Sequence, residues 1–165
     1  MSQDQIEKVA ALPAPRARAW SAIGDSANFG TWFGMQLDGP FIAGKQIVGR
    51  IRPTQVDAEV ARMQAPYEGK RIEFDVVAVE PGRRLALRWH PHAIDAAVDY
   101  SREPTTLVEF LLEDAPGGTQ LTIRESGFDQ IPLARRAQAY QANSGGWDHQ
   151  VRLIAKYLAQ HPVNQ

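Results

Sequence analysis

Residues 119–158 read TQLTIRESGFDQIPLARRAQAYQANSGGWDHQVRLIAKYL, a stretch that joins a regular strand to the longest helix the chain can form. Leu121, Ile123 and Glu125 alternate with Thr122 and Arg124, which is the period of a half-buried strand. Gly127 ends the alternation, Asp129 and Pro132 supply an N-cap and an early-turn proline, and the next proline is Pro162. A helix over Pro132–Leu158 would be roughly 40 Å long, enough to cross a small domain. Ala137, Tyr140, Ser144, Trp147, Val151, Ile154 and Leu158 recur at steps of three and four. One stripe of this helix is therefore apolar or small and must lie against something.

Gly145 and Gly146 stand inside that helix, directly before Trp147. Each costs on the order of 1 kcal/mol against Ala in a helix interior, so the pair needs a reason. The expectation is a packing notch that gives a sheet side chain or Trp147 room. The alternative is that the glycines form one wall of a cavity.

Upstream, Gln5–Leu12 reads as a first strand ended by Pro13, and Pro15 opens a short helix over Arg16–Ile23. Asp25-Ser26 caps a second short helix, Ser26–Phe33, whose Phe29, Trp32 and Phe33 read as core or as the border of a ligand opening. Gly34–Lys45 reads as loop and Gln46–Arg52 as strand. The pattern is weakest over Thr54–Gly69, where Ala58–Met63 is assigned as a short strand. Arg71–Val79 and Arg83–His90 form a hairpin through Pro81-Gly82, with Ile72, Phe74, Val76 and Ala78 on one face and Leu85, Leu87 and Trp89 on the matching face. Pro91–Pro104 is a polar loop, Thr105–Glu113 is a strand, and Pro116-Gly117-Gly118 turns it into the final one. This order predicts an α+β domain: a curved antiparallel sheet wrapped around a long C-terminal helix, with two short helices after the first strand. A straight helix cannot touch a curved sheet everywhere. Bulky side chains fill the space between them, or a pocket remains.

The chain has 165 residues, of which 44% are hydrophobic, so a single domain over 1–165 with a sizeable core is expected. A net charge of −1 from dispersed charges argues against nucleic acid as a partner. Cysteine is absent, which excludes disulfides, thiolate metal sites and a cysteine nucleophile and suits a reducing cytoplasm. The first residues, MSQDQIEKVAALPAP, lack a signal pattern, and no window approaches the roughly 20 apolar residues of a membrane span. The expectation is a cytoplasmic protein that is not membrane-embedded; a homodimer is compatible with it.

Chemistry is sparse among the ionisable groups. His90 and His92 flank Pro91, but a third ligand is lacking beyond Asp95 or Asp99, so no metal is assigned and no cofactor is expected. Asp148 and His149 are adjacent on the helix and face different ways, so no dyad follows. Ser126 lacks the strand-to-helix elbow of a nucleophilic serine. No catalytic residue is assigned. Glu125 alternates onto the covered face, where an unpaired carboxylate would cost several kcal/mol. It is expected to reach past the strand end to water, an arginine or backbone N–H groups; the alternative is a ligand anchor or a general acid or base.

The run Glu125-Ser126-Gly127-Phe128-Asp129, followed by Asn143, Gly146-Trp147 and the segment Leu153–Leu158, resembles the C-terminal signature of homologues of the activator of the heat-shock-protein-90 ATPase. Trp89 at a strand end, the strand Thr106–Leu112 and the turn Gly117-Gly118-Thr119 agree with the same pattern. The resemblance covers nearly the whole chain. It implies the START-like (SRPBCC) superfamily and its helix-grip fold, a scaffold that hosts many ligands and several chemistries.

On this reading the protein binds a small hydrophobic molecule, without catalysis, in a cavity between the sheet and the C-terminal helix. Trp32, Phe74, Trp89, Phe110, Glu125, Tyr140, Trp147 and Val151 are the candidate ligand-binding residues. The resemblance also admits a polyketide cyclase or aromatase, for which Glu125 and Tyr140 are the candidates, and an ATPase-activating co-chaperone.

Overall fold

The computed structural model describes residues 4–95 and 97–160. Strand β1 (Gln5–Leu12) leads into helices α1 (Arg16–Gly24) and α2 (Ser26–Phe33), then strands β2 (Met35–Leu37) and β3 (Gln46–Ile51). Helix α3 (Ala58–Gln64) precedes four strands joined mostly by tight turns: β4 (Arg71–Glu80), β5 (Arg84–Trp89), β6 (Thr106–Ala115) and β7 (Gly118–Ser126). Helix α4 (Leu133–Gln160) follows. The strands form one antiparallel sheet in the order β1-β7-β6-β5-β4-β3-β2. A register shift between Val76 and Ala78 marks a bulge in β4 against β5, a local device for bending a sheet. This is the START-like helix-grip fold, with the curved sheet gripping α4.

The core comes from alternation. Val108, Phe110 and Leu112 of β6 and Leu121, Ile123 and Glu125 of β7 are all buried, as are Ile154 and Leu158 of α4. The α4 stripe begins differently from the expected one. Ala137 is exposed and Ala139 is buried, because the first turns rotate to carry Arg135 toward the loop at residues 91–104 and Tyr140 toward β1. Helix α4 also runs unbroken through Gly145 and Gly146.

Two local assignments change. Ala58–Gln64 is helix and not strand: Asp57 Oδ1 accepts from the Val60 N–H at 2.9 Å, and Ala, Glu, Arg, Met and Gln are strong helix formers. The expected loop after Gly34 contains β2, whose three residues pair with β3 but are too few to show a period. Gly34 itself ends α2 at φ 96°, a left-handed conformation that costs glycine nothing.

Candidate functional site

The place beneath the middle of α4 is filled with aromatic rings. Phe29 stacks on Phe33 with centroids 4.8 Å apart and meets Phe110 edge-on at 5.6 Å. Trp89 stacks on Phe74 at 5.5 Å, and Trp147 lies 5.9 Å from Trp89 and 5.8 Å from Phe110. The void left among these rings is about 10 Å³, room for about one water.

Glu125 is at the centre of this region and is completely buried. Its alternation in β7 turns it inward, and four side chains donate to it. Oε1 accepts from Trp147 Nε1 at 2.8 Å and from Asn143 Nδ2 at 3.0 Å. Oε2 accepts from Trp89 Nε1 at 2.8 Å, from Thr106 Oγ1 at 2.5 Å and again from Asn143 Nδ2 at 3.1 Å. These donors come from β5, β6 and α4, so one carboxylate joins three strands to the helix. The expected partners (water, arginine or backbone N–H groups) are replaced by neutral side chains. Hydrogen bonds supply what burial removes, and the carboxylate's lone pairs are occupied.

The open space lies beside this cluster. A recess of about 730 Å³ is walled by Ile51 and Ile72 from the sheet, Trp89, Val98 of the 91–104 loop, and Asn143 and Gly146 of α4. A second recess of about 320 Å³ continues along α4 toward α3, lined by Met63, Tyr67, Gln150 and again Trp89 and Gly146. A Cβ added at Gly146 would meet nothing within 4 Å, nor would one at Gly145. The glycine therefore serves as cavity wall and not as the expected packing notch.

Of the eight residues named from sequence, Trp89 borders both recesses, and Phe74, Phe110 and Trp147 border the filled aromatic space instead. Trp32 is fully buried, donating its indole N–H to the Ala22 carbonyl at 2.8 Å. Tyr140 packs edge-on to Phe128, and its hydroxyl donates to the Gln5 carbonyl at 3.0 Å. Val151 packs half-buried against the core, and Glu125 stands behind Trp89 and Asn143. Asn143, Thr106 and Gln150 went unassigned. Thr106 carried a signal: it alternates onto the same face as Val108 and Phe110, where a polar residue implies a buried partner.

The loop over the larger recess is fastened by Arg135. Its guanidinium pairs with Glu103 at 2.8 Å, donates to the Pro91 carbonyl at 2.7 Å and covers the Tyr100 ring at 4.7 Å. His92 lines the recess at φ 50°, and burial, aided by the Arg135 charge, pushes its imidazole below the ordinary value. Among the described residues no cluster of three or more His, Cys, Asp or Glu is placed to hold a metal. No described helix is long and apolar enough to cross a membrane.

The sequence profile described as Activator of Hsp90 ATPase homolog 1-like protein matches residues 13–159. The chain belongs to this family. Comparison with curated proteins finds no match. Among solved structures, DynU16, described as a protein of the dynemicin biosynthetic locus, is 24% identical with a TM-score of 0.67. The alignment covers 96% of this chain and 48% of DynU16, so the chain spans about half the length of that relative. Protein MLL2253 from Mesorhizobium loti is 21% identical with a TM-score of 0.69, over 96% of this chain and 99% of that one. CalU16 from Micromonospora echinospora is 20% identical with a TM-score of 0.62, over 97% and 77%. At these identities the likeness carries the fold. Family membership and the START-like scaffold fit a ligand-binding architecture; the site itself rests on the geometry above.

Proposed function

We propose that the protein, read as one START-like domain over residues 1–165, binds a small, mostly apolar molecule in the groove along α4 and performs no chemistry on it. The supporting observation is the open groove at Gly146 and Trp89. Its larger recess has the size of ligand pockets, roughly 300–1,000 Å³, and mixes apolar walls with a few polar groups. A non-catalytic role is favoured because Glu125, the inward-facing acid, is saturated by Trp89, Thr106, Asn143 and Trp147 and lies behind two of them. A general acid or base needs the reacting proton within hydrogen-bond reach.

The test is titration with a hydrophobic fluorescent probe, anilinonaphthalene sulfonate, against the wild type and Gly146→Leu. Leucine suits a helix better than glycine and projects into the groove, so the variant is expected to be at least as stable and to lose probe binding. Undiminished binding by a folded Gly146→Leu would place the ligand elsewhere.

A further inference from the structure

Two covers flank the groove, and they are fastened unequally. Helix α3 and the residues leading into it are tied at several points: Gln64 accepts from the Thr54 N–H at 2.7 Å and donates to the Phe33 carbonyl at 3.1 Å, Lys156 pairs with Asp57 at 3.1 Å, and Gln160 donates to the Val56 carbonyl at 3.2 Å. The 91–104 loop hangs on a single side chain. Among the described residues, the hydrogen bonds and the ion pair that leave this loop for another element all end on Arg135 of α4, whose Nε donates to Glu103 at 2.8 Å and whose Nη1 donates to the carbonyls of Pro91 at 2.7 Å and His92 at 3.4 Å. Among the described residues of the loop only Pro91 is buried, and a segment that buries so little opens at low free energy. The loop is also longer than its connection requires. Trp89 and Thr106 are paired across β5 and β6, a hairpin that about two to five residues could close, yet residues 90–105 stand between them. Connections longer than about 12 to 15 residues usually carry function. His92, near the loop's start, is held at φ 50°, a left-handed conformation that is unfavourable for a residue with a β-carbon and that clusters at clamps and switches.

We infer that the 91–104 loop is the access flap of the groove: Arg135 latches it to α4, and the ligand enters and leaves the larger recess as the loop swings away from that helix; this rests on the groove being the binding site proposed above. His92, Ile94, Val98 and Tyr100 form the inner side of the flap, and Ile94 and Val98 line the recess while remaining about half exposed, which puts the edge of the recess at the loop. The latch itself stands outside. Arg135, Glu103 and Pro91 do not line the recess, so breaking their contacts removes nothing that touches a ligand there. A change that acts equally on the filled and the free protein leaves affinity alone and alters only how fast the two interconvert. Entry and exit therefore accelerate together when the latch is cut.

Stopped-flow fluorescence with N-phenyl-1-naphthylamine, an apolar probe without charge and so indifferent to the cation removed, tests this on the wild type and Arg135→Met. Association and dissociation rates are both expected to rise roughly 5- to 30-fold, the effect of losing about one charged hydrogen bond, with the dissociation constant within about twofold of the wild type. Lys156→Met, which unties α3 instead, should leave both rates as they are. Trypsin gives a readout without any probe: cleavage after Arg102 should be faster in Arg135→Met than in the wild type. Should Arg135→Met not fold, Glu103→Gln removes the ion pair from the loop side and carries the same expectations. Unchanged rates, unchanged cleavage, or weaker binding through faster dissociation alone overturns the inference, since Arg135 then only shapes a fixed wall, and leaves the groove as the site. Faster rates in Lys156→Met but not in Arg135→Met place the passage at α3 and overturn it as well. Absence of probe binding, or binding that survives Gly146→Leu, overturns the groove reading and this inference with it.

Discussion

Trp147 Nε1 donates to Oε1 of Glu125 at 2.8 Å, which bolts the middle of α4 to the end of β7 through a contact wholly removed from solvent. The indole is at once a packed ring and a donor, and the two roles separate by substitution. Trp147→Ala should cost roughly 3 to 5 kcal/mol in a urea titration. Trp147→Phe keeps most of the ring and should cost about 1 to 3 kcal/mol for the lost donor to a buried group. A loss below about 1 kcal/mol for the alanine variant would contradict the packing described.

Glu125→Gln is expected to act on stability before anything else. Glutamine brings one accepting oxygen and two N–H donors into a ring of donors, so at least one of Trp89, Thr106, Asn143 and Trp147 must face an N–H. Each orphaned donor costs on the order of 1 to 3 kcal/mol. Denaturant midpoints measure this, and an unchanged midpoint would show that the carboxylate is dispensable.

The outline of this fold was legible because most elements advertise a period or a stop. β1 and α2 carry sharp boundaries at Pro13, Asp25 and Gly34, and the core faces of β6 and β7 alternate strictly, whereas the bulge in β4 and the three consecutive buried residues Leu85, Ala86 and Leu87 of β5 break the period there. Two features were hidden for different reasons. Ala58–Gln64 is short and shows no buried stripe, so only the Asp57 cap distinguishes it from a strand. Where the groove opens along α4 is harder to read, because sequence shows which residues face inward but not whether the rings they carry meet. Phe29, Phe33, Phe74, Phe110 and Trp147 close the space directly under α4, and the opening shifts to Gly146, where a side chain is lacking. The inward direction of Glu125 was readable from alternation, but its four donors lie up to 36 residues away and required the topology.

Gly145→Ala and Gly146→Ala should each stabilise the protein by about 0.5 to 1 kcal/mol, since both sit in unbroken helix with empty space where a methyl group would go. Thermal unfolding of the single variants checks this. Destabilisation by either would mean that the helix is strained there.

His92 gives the protein a pH-dependent component with a definite sign. Burial, and secondarily Arg135, lowers its folded-state pKa below the ordinary 6.5, so between the two values the unfolded chain binds more protons. That contribution is present above 6.5 and is lost as pH falls toward the lower folded-state value. Asp57 and Asp99 are held below the usual 3.8 by hydrogen bonds, to the Val60 N–H and to Ser101 respectively, and so do not titrate in this window. Urea midpoints at about pH 7.5 and about pH 5.5 should differ more for the wild type than for His92→Asn, a residue that tolerates the positive φ. Equal differences would remove His92 as the cause.

The pairing of β1 with β7 has a consequence for the order in which the molecule assembles. β4 to β7 pair with immediate neighbours in the chain and can zip up from their turns, whereas β1 meets β7 across separations of 107 residues at Leu12–Thr119 to 121 residues at Gln5–Ser126. Closing so long a loop carries the largest entropic cost of any step in the sheet, and contacts of this range slow folding. Every side chain that donates to the Glu125 carboxylate comes from the stretch Trp89 to Trp147, so those hydrogen bonds can form without the first strand, although Ile6 pairs with the Glu125 backbone once that strand is in place. The N-terminal segment is then expected to dock last, onto an edge already set by the hairpins and the helix behind them.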